Sequence, residues 1–344
     1  MLFLLRKISL AAAFMILVTG TGLVTAILRS EPTPDTSEKC LYCQETFSEL
    51  QDTWTNAESV AQILEDLKTQ CKELPIAKRP ICDKLVSVLV QIPPALFDSM
   101  EYLTWPIPLG PCALIQQCKV ECCAVDSPPE QIHLSRGGTK DSSIMGVSWV
   151  TLNQTASIVE YGSDPSNLNI RSVGTVGTYT SAGWVGTIHR AIIHDLKPKT
   201  TYHYRVGDGD SLWSGMYSFV TDAADLTSVT YAVIADMAYD NQSDNTVSSV
   251  IKLVEDGIVQ TVIHSGDISY ADGYEPHWDD FLNKIQPIAA RVPYMVSPGN
   301  HEVSVNKYML IFLNTEGFCQ CVITFIALVQ FLFLQKSIFH ARCD

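Results

Sequence analysis

The chain of 344 residues predicts a multidomain protein of three different classes. An all-α domain stapled by disulfides comes first, a β-sandwich second, and an α/β domain third. Three observations carry this. Six cysteines, Cys40, Cys43, Cys71, Cys82, Cys112 and Cys118, punctuate apolar residues at helical spacing. From Gln131 to Thr221 short segments alternate with period two between Gly, Pro and Asp turns. From Ser228 onward apolar strands alternate with amphipathic helices.

The first residues concern compartment. Arg6 and Lys7 precede an apolar run from Ile8 to Leu28, interrupted by Gly20 and Gly22, and Val24-Thr25-Ala26 offers a small-residue cleavage site. This is the layout of a secretory signal over residues 1–26. An uncleaved signal anchor is the rival, because the run approaches the roughly 20 residues that span a bilayer. Eleven cysteines fit an oxidising compartment, either secreted or lysosomal/vacuolar. Asn153-Gln154-Thr155 and Asn241-Gln242-Ser243 have the form of glycosylation acceptors. A net charge of −14 with no basic block argues against a nucleic-acid partner, which needs clustered Lys and Arg to displace counterions.

Helical spacing runs through Phe47, Leu50 and Trp54, then Val60, Ile63, Leu64 and Leu67, and again from Leu85 to Met100 with a break at Pro93-Pro94. Six cysteines allow fifteen connectivities, and the residues alone do not choose among them. Two residues separate Cys40 from Cys43, ten separate Cys71 from Cys82, and five separate Cys112 from Cys118. This spacing resembles the saposin B-type family, over residues 36–123. The resemblance implies the pairs Cys40–Cys118, Cys43–Cys112 and Cys71–Cys82. It also implies a lipid or membrane-surface partner, beside the alternative of a purely structural or folding-assist module. Residues 124–130, with Pro128 and Pro129, read as a linker. Adjacent Cys122 and Cys123 are not expected to bond to each other, because that geometry is strained; pairing elsewhere and free thiols both stay open.

In the second domain, residues 131–223, Met145, Val147 and Trp149 fall on one strand face, and Ile158 to Tyr161 forms the next strand. Leu196 to Val206 reads as a turn feeding a strand, followed by Tyr217 to Thr221. The run Leu196-x-Pro198-x-Thr200-x-Tyr202 resembles the corner of fibronectin type III domains, where a tyrosine hydroxyl ties the corner down. His189, His194 and His203 read as ordinary strand or loop residues, since no ligand cluster surrounds them.

In the third domain, residues 228–318, Tyr231 to Ala235, Ile258 to Ile263 and Val292 to Val296 read as buried strands. Val247, Val250, Ile251 and Val254 give one helix face, ended by Gly257, and Trp278, Phe281, Leu282 and Ile285 give another. In such sheets functional groups sit just past the carboxyl ends of the strands. Each strand here is followed by a polar cluster: Asp236-Met237-Ala238, then Gly266-Asp267-Ile268-Ser269-Tyr270, then Gly299-Asn300-His301-Glu302. Singly these are turn formers or helix caps. Three in order, each after a buried strand, point to a metal-assisted site, because Asp, Asn and His suit Fe, Zn or Mn and two such ions can clamp a phosphate.

Residues from about 125 to 303 resemble a purple acid phosphatase, on the run Gly266 to Asp272 with Trp278 and the run Pro298 to Glu302. The resemblance implies hydrolysis of phosphate monoesters at a site of Fe(III) plus a divalent ion, Zn, Fe or Mn. By position Asp236 would bind iron, Asp267 would bridge the metals, Tyr270 would ligate iron as phenolate and Asn300 would bind the divalent ion. His301 would contact phosphate or protonate the leaving group. Two departures stand out. Ala238 occupies the place of a family glycine. The family's three later histidines, in Val-x-x-His and Gly-His-x-His motifs, have no counterpart after His301, where only His340 occurs. Residues 319–344, with the apolar run Val322 to Leu334, read as an atypical tail: a gene-model error, a truncation or a membrane anchor. The resemblance therefore implies an α/β metallophosphoesterase domain that is C-terminally incomplete, and the chain as written is expected to be poorly active. The alternatives are a non-catalytic lipid- or partner-binding saposin-module protein and a phosphodiesterase resembling acid sphingomyelinase.

Overall fold

The computed structural model describes residues 32, 34–48, 50, 60–90, 109–137, 143–224, 229–271 and 274–303. The signal segment, Trp54, the Pro93-Pro94 break and everything after residue 303 lie outside the described residues.

Four helices open the described chain: α1 (Glu38–Ser48), α2 (Val60–Glu73), α3 (Arg79–Leu89) and α4 (Leu109–Leu114). Their apolar stripes bring Phe47, Leu67, Leu85 and Leu89 into one buried cluster with the cysteines. Cys40 joins Cys118, Cys43 joins Cys112 and Cys71 joins Cys82. This is the pairing that the saposin resemblance implies. The first two bonds close chain separations of 78 and 69 residues, so they remove much freedom from the unfolded chain. No helix among the described residues is long and apolar enough to cross a membrane.

Strand β1 (Val120–Glu121) pairs in parallel with β7 (Trp184–Val185) and so ties the helical region to the sandwich.

The sandwich has two four-stranded sheets. One has the order β2 (Glu130–Arg136), β3 (Met145–Thr151), β8 (Thr187–Ile193), β6 (Thr175–Gly177). The other has the order β10 (Tyr217–Val220), β9 (Thr201–Gly207), β4 (Ile158–Gly162), β5 (Ile170–Val173). Period-two alternation sends Val147, Trp149, Val159, Tyr204, Val206 and Phe219 into the shared core. Tyr202 is a corner residue: its hydroxyl accepts the Lys197 N–H at 3.0 Å. His189 is a core residue, stacked on Trp149 and within 2.8 Å of both the Thr151 and Ser157 hydroxyls. Burial pushes its pKa down to about 4, so it stays neutral.

The third domain is a parallel sheet of β11 (Tyr231–Ile234), β12 (Thr261–Ser265) and β13 (Tyr294–Ser297), in that order. Helices α5 (Asp244–Glu255) and α6 (Pro276–Ala289) form the crossovers. Two strands start later than their apolar runs. Gly257 at φ +69° ends α5, and the Ile258 and Val259 N–H groups both turn back to Leu253 O, which delays β12 to Thr261. The Val292 N–H likewise bonds Ile288 O, which delays β13 to Tyr294.

Helix α6 also covers an edge of the sandwich. Strand β2 is the outer strand of its sheet, and the Ile132 N–H donates to the Gln286 side chain at 3.0 Å. Gln131 and Trp184 donate to the two oxygens of Asp279 at 2.7 and 3.0 Å. Tyr204 donates to Ala290 O at 2.8 Å. At the start of α6, buried Glu275 accepts from the Tyr179 hydroxyl at 2.9 Å.

Burial raises the Glu275 pKa from 4.5 to about 7, against a smaller opposing effect of the Tyr179 hydrogen bond. The folded state therefore holds this proton more tightly than the unfolded chain does. Its contribution to stability is full below pH 4.5 and is lost as pH rises through about 7. Thermal melts across this window should show stability falling toward neutrality from this group. Glu275→Gln should flatten that decline, and an unchanged profile would show that Glu275 is not its source.

Candidate functional site

The parallel register aligns Ile234 with His264 and Ser265 with Ser297, so the three strands deliver their following loops to one rim. The first two loops then run side by side. The N–H groups of Asp236, Met237, Ala238 and Tyr239 donate to the carbonyls of Gly266, Asp267, Ile268 and Ser269, at 3.1 to 3.3 Å. This ladder past the sheet end holds unusual backbone. Asp236, Ala238, Asp267 and Tyr270 all have positive φ, between +50° and +61°. Each such non-glycine residue costs about 1 kcal/mol or more, and strain of this kind concentrates at functional sites.

The third loop is locked to the second by Glu302. Its buried carboxylate accepts N–H groups from Asp267 at 2.9 Å, Ile268 at 2.8 Å and Gly299 at 2.7 Å. Burial raises its pKa, with the backbone donors working the other way. The fit depends on two glycines. A Cβ on Gly299 would overlap the Asp267 carboxylate, and one on Gly266, at φ +86°, would lie 2.8 Å from Gly299 Cα.

Each sequence-predicted site residue has a definite place. The Tyr270 hydroxyl donates to Asp236 Oδ1 at 2.8 Å, joining the second loop to the first. Asp267 Oδ1 accepts the His301 N–H at 3.1 Å, joining the second loop to the third. Asn300 begins the short helix α7 (Asn300–Val303) and is exposed. The His301 ring is buried and its centroid lies 4.3 Å from that of Tyr270. Burial, then the Asp236 hydrogen bond and the charges of Asp236, Asp267 and Glu302, hold the Tyr270 hydroxyl well above its ordinary pKa. Two carboxylates, a phenol and an amide thus belong to one rim, a set of hard oxygen donors. Among the described residues no group of three or more His, Cys, Asp or Glu is placed to hold a metal.

The acceptor motifs also have places. Asn153 is exposed after β3. Asn241 is exposed, but Ser243 of its motif is buried and hydrogen-bonded to Ala238 O and Asp240 O. The residue that sequence reasoning passed over is Glu302. Its signal was its place in the Gly299 to Glu302 cluster, although its role is to organise backbone and not to face outward. Ala238 is likewise clarified: the cost of a methyl there is conformational, since its φ is +61°.

This rim lies on a parallel β-α-β-α-β sheet, and residues 229–339 match the calcineurin-like phosphoesterase family model. That match continues past residue 318. Residues 129–221 match the N-terminal domain of purple acid phosphatases. The two matches follow one another in this order within residues 129–339, where the chain is similar to purple acid phosphatases. Acid phosphatase type 7 of Danio rerio is 34% identical over 190 residues, covering 53% of this chain and 42% of that protein. Purple acid phosphatase 22 of Arabidopsis thaliana is 33% identical over 179 residues, covering 52% and 38%. A solved purple acid phosphatase from yellow lupin seeds aligns with a TM-score of 0.47 and 27% identity, over 59% of this chain and 41% of that one. The chain spans about two fifths of the length of the curated relatives it matches.

Glu302→Gln replaces one acceptor oxygen by a donor that faces backbone N–H groups. It should destabilise the chain by about 2 kcal/mol, the scale of a lost charge-assisted hydrogen bond. Chemical denaturation measures this; a change near zero would mean that the three N–H bonds do not hold the loops.

Proposed function

We propose that the chain is by family a phosphate monoester hydrolase of the purple acid phosphatase type, keeping part of a site for Fe(III) and a divalent ion, Zn, Fe or Mn, and poorly active in the sequence as given. One observation carries the proposal. Tyr270 reaches Asp236 on one side, while Asp267, on the same loop, reaches the backbone of His301 on the other. Asp236 and Tyr270 would hold iron, Asp267 would be shared, and Asn300 would take the divalent ion. When bound, the metals would supply Lewis-acid stabilisation of the charge on phosphate oxygens. His301 would contact the phosphate or give a proton to the departing oxygen. The raised Tyr270 hydroxyl keeps its proton until a strong cation replaces it.

Excess Fe(III) added to the chain should produce a visible phenolate charge-transfer band that Tyr270→Phe abolishes; no band in the parent would remove the metal assignment. With iron and zinc at mildly acidic pH, the 344-residue chain should hydrolyse p-nitrophenyl phosphate little or not at all, because these residues are four of the seven ligands that the purple acid phosphatase resemblance implies, and only His340 follows His301. Robust turnover would mean that further ligands act.

The helical region is proposed to be a saposin-like module in a secreted or lysosomal/vacuolar protein. Its three disulfides support an oxidising compartment. The full chain should co-sediment with anionic vesicles at acidic pH; its remaining in the supernatant would leave the module a structural role alone.

A further inference from the structure

We propose that Cys122 and Cys123 form a vicinal disulfide, a labile bond at the junction of the helical region, the sandwich and α6. The structure holds both as thiols, fully buried, with their sulfurs 2.6 Å apart, closer than separate thiols pack though longer than the about 2.0 Å of a formed bond. The surroundings are shaped to admit them. A Cβ on Gly186 would lie 2.7 Å from Cys122 Sγ, so the glycine leaves the sulfur its space. The Cys122 N–H is fixed to Val185 O at 3.0 Å, directly after the β1–β7 pairing.

The strain recognised in the sequence remains, and it makes the bond labile instead of forbidding it. Adjacent Cα atoms sit about 3.8 Å apart across a trans peptide, against the usual 4.4–6.8 Å of a disulfide. The bond closes no chain loop, so it adds almost nothing by loop entropy. What it fixes is the path of the chain as it leaves β1. The contact with Cys123, then burial and the carboxylates of Asp279 and Glu130, push the Cys122 thiol far above its ordinary pKa.

The oxidant is a disulfide of the oxidising compartment, written RS–SR. One cysteine thiolate attacks it, making a mixed disulfide and expelling RS⁻. The second cysteine thiolate attacks the mixed disulfide at the cysteine sulfur and expels the other RS⁻. Two electrons pass from the cysteine pair to the carrier, and the two cysteine protons end on two RSH.

The full chain, made in an oxidising compartment, is denatured without reductant in the presence of N-ethylmaleimide and digested with trypsin. The peptide from Val120 to Arg136 should be unalkylated, uncrosslinked and lighter than its reduced form by two hydrogen masses. Alkylation of either cysteine, or a bond from this peptide to another, overturns the proposal. In graded reductant under denaturing conditions this bond should open before Cys71–Cys82; the reverse order would contradict its lability.

Discussion

The carboxylate of Glu302 holds together what the sheet alone would leave apart. A parallel sheet brings three loops to one rim, but it does not fix their distances. Glu302 does so by gathering the N–H groups of Asp267, Ile268 and Gly299 onto a single buried acid. With the second and third loops joined, the ladder from Asp236 to Tyr239 joins the first. Only then are the positive φ angles of Asp236, Asp267 and Tyr270 over-determined by their surroundings and tolerable. Removing one support leaves the strained backbone held by fewer bonds. The donor residues face outward because a residue that faces inward pins their backbone.

The second organising element is α6. It belongs to the α/β domain by sequence and by its core residues Phe281, Ile285 and Ile288. Its polar residues belong equally to the sandwich, where Asp279 receives Gln131 and Trp184, and Gln286 completes the hydrogen bonding of β2. Tyr179 stacks on Trp184 with centroids 4.3 Å apart, so the acidic positions of α6 meet an aromatic wall next to the helical region's exit strand. The rim is thus carried on a base built from both domains.

Much of this was legible in the residues. Period two gave the sandwich strands, and the polar clusters after Ile234, Ser265 and Ser297 gave the rim. These are local signals, set by backbone geometry within a few residues. The Tyr202 corner was legible for the same reason: its partner is only five residues away. Long-range partners were not legible. Nothing local told that Glu302 would turn toward residues 34 and 35 positions earlier. Nor did it tell that Val120 and Glu121 would pair with Trp184 and Val185. Ala238 could be flagged by resemblance, but its left-handed backbone follows from a ladder made with the neighbouring loop. Strand starts erred where a helix terminus reached back for its last carbonyl, as at Leu253 and Ile288.

The way β2 is finished bears on how the chain matures on the ribosome. Synthesis delivers the sandwich well before α6, since Ile132 precedes its partner Gln286 by 154 residues. In that interval the outer strand is a raw border with unmet amides, able to recruit a strand from another nascent copy. Safe biogenesis of the sandwich therefore depends on sequence that has not yet been translated, and a pause between the two would favour self-association over maturation.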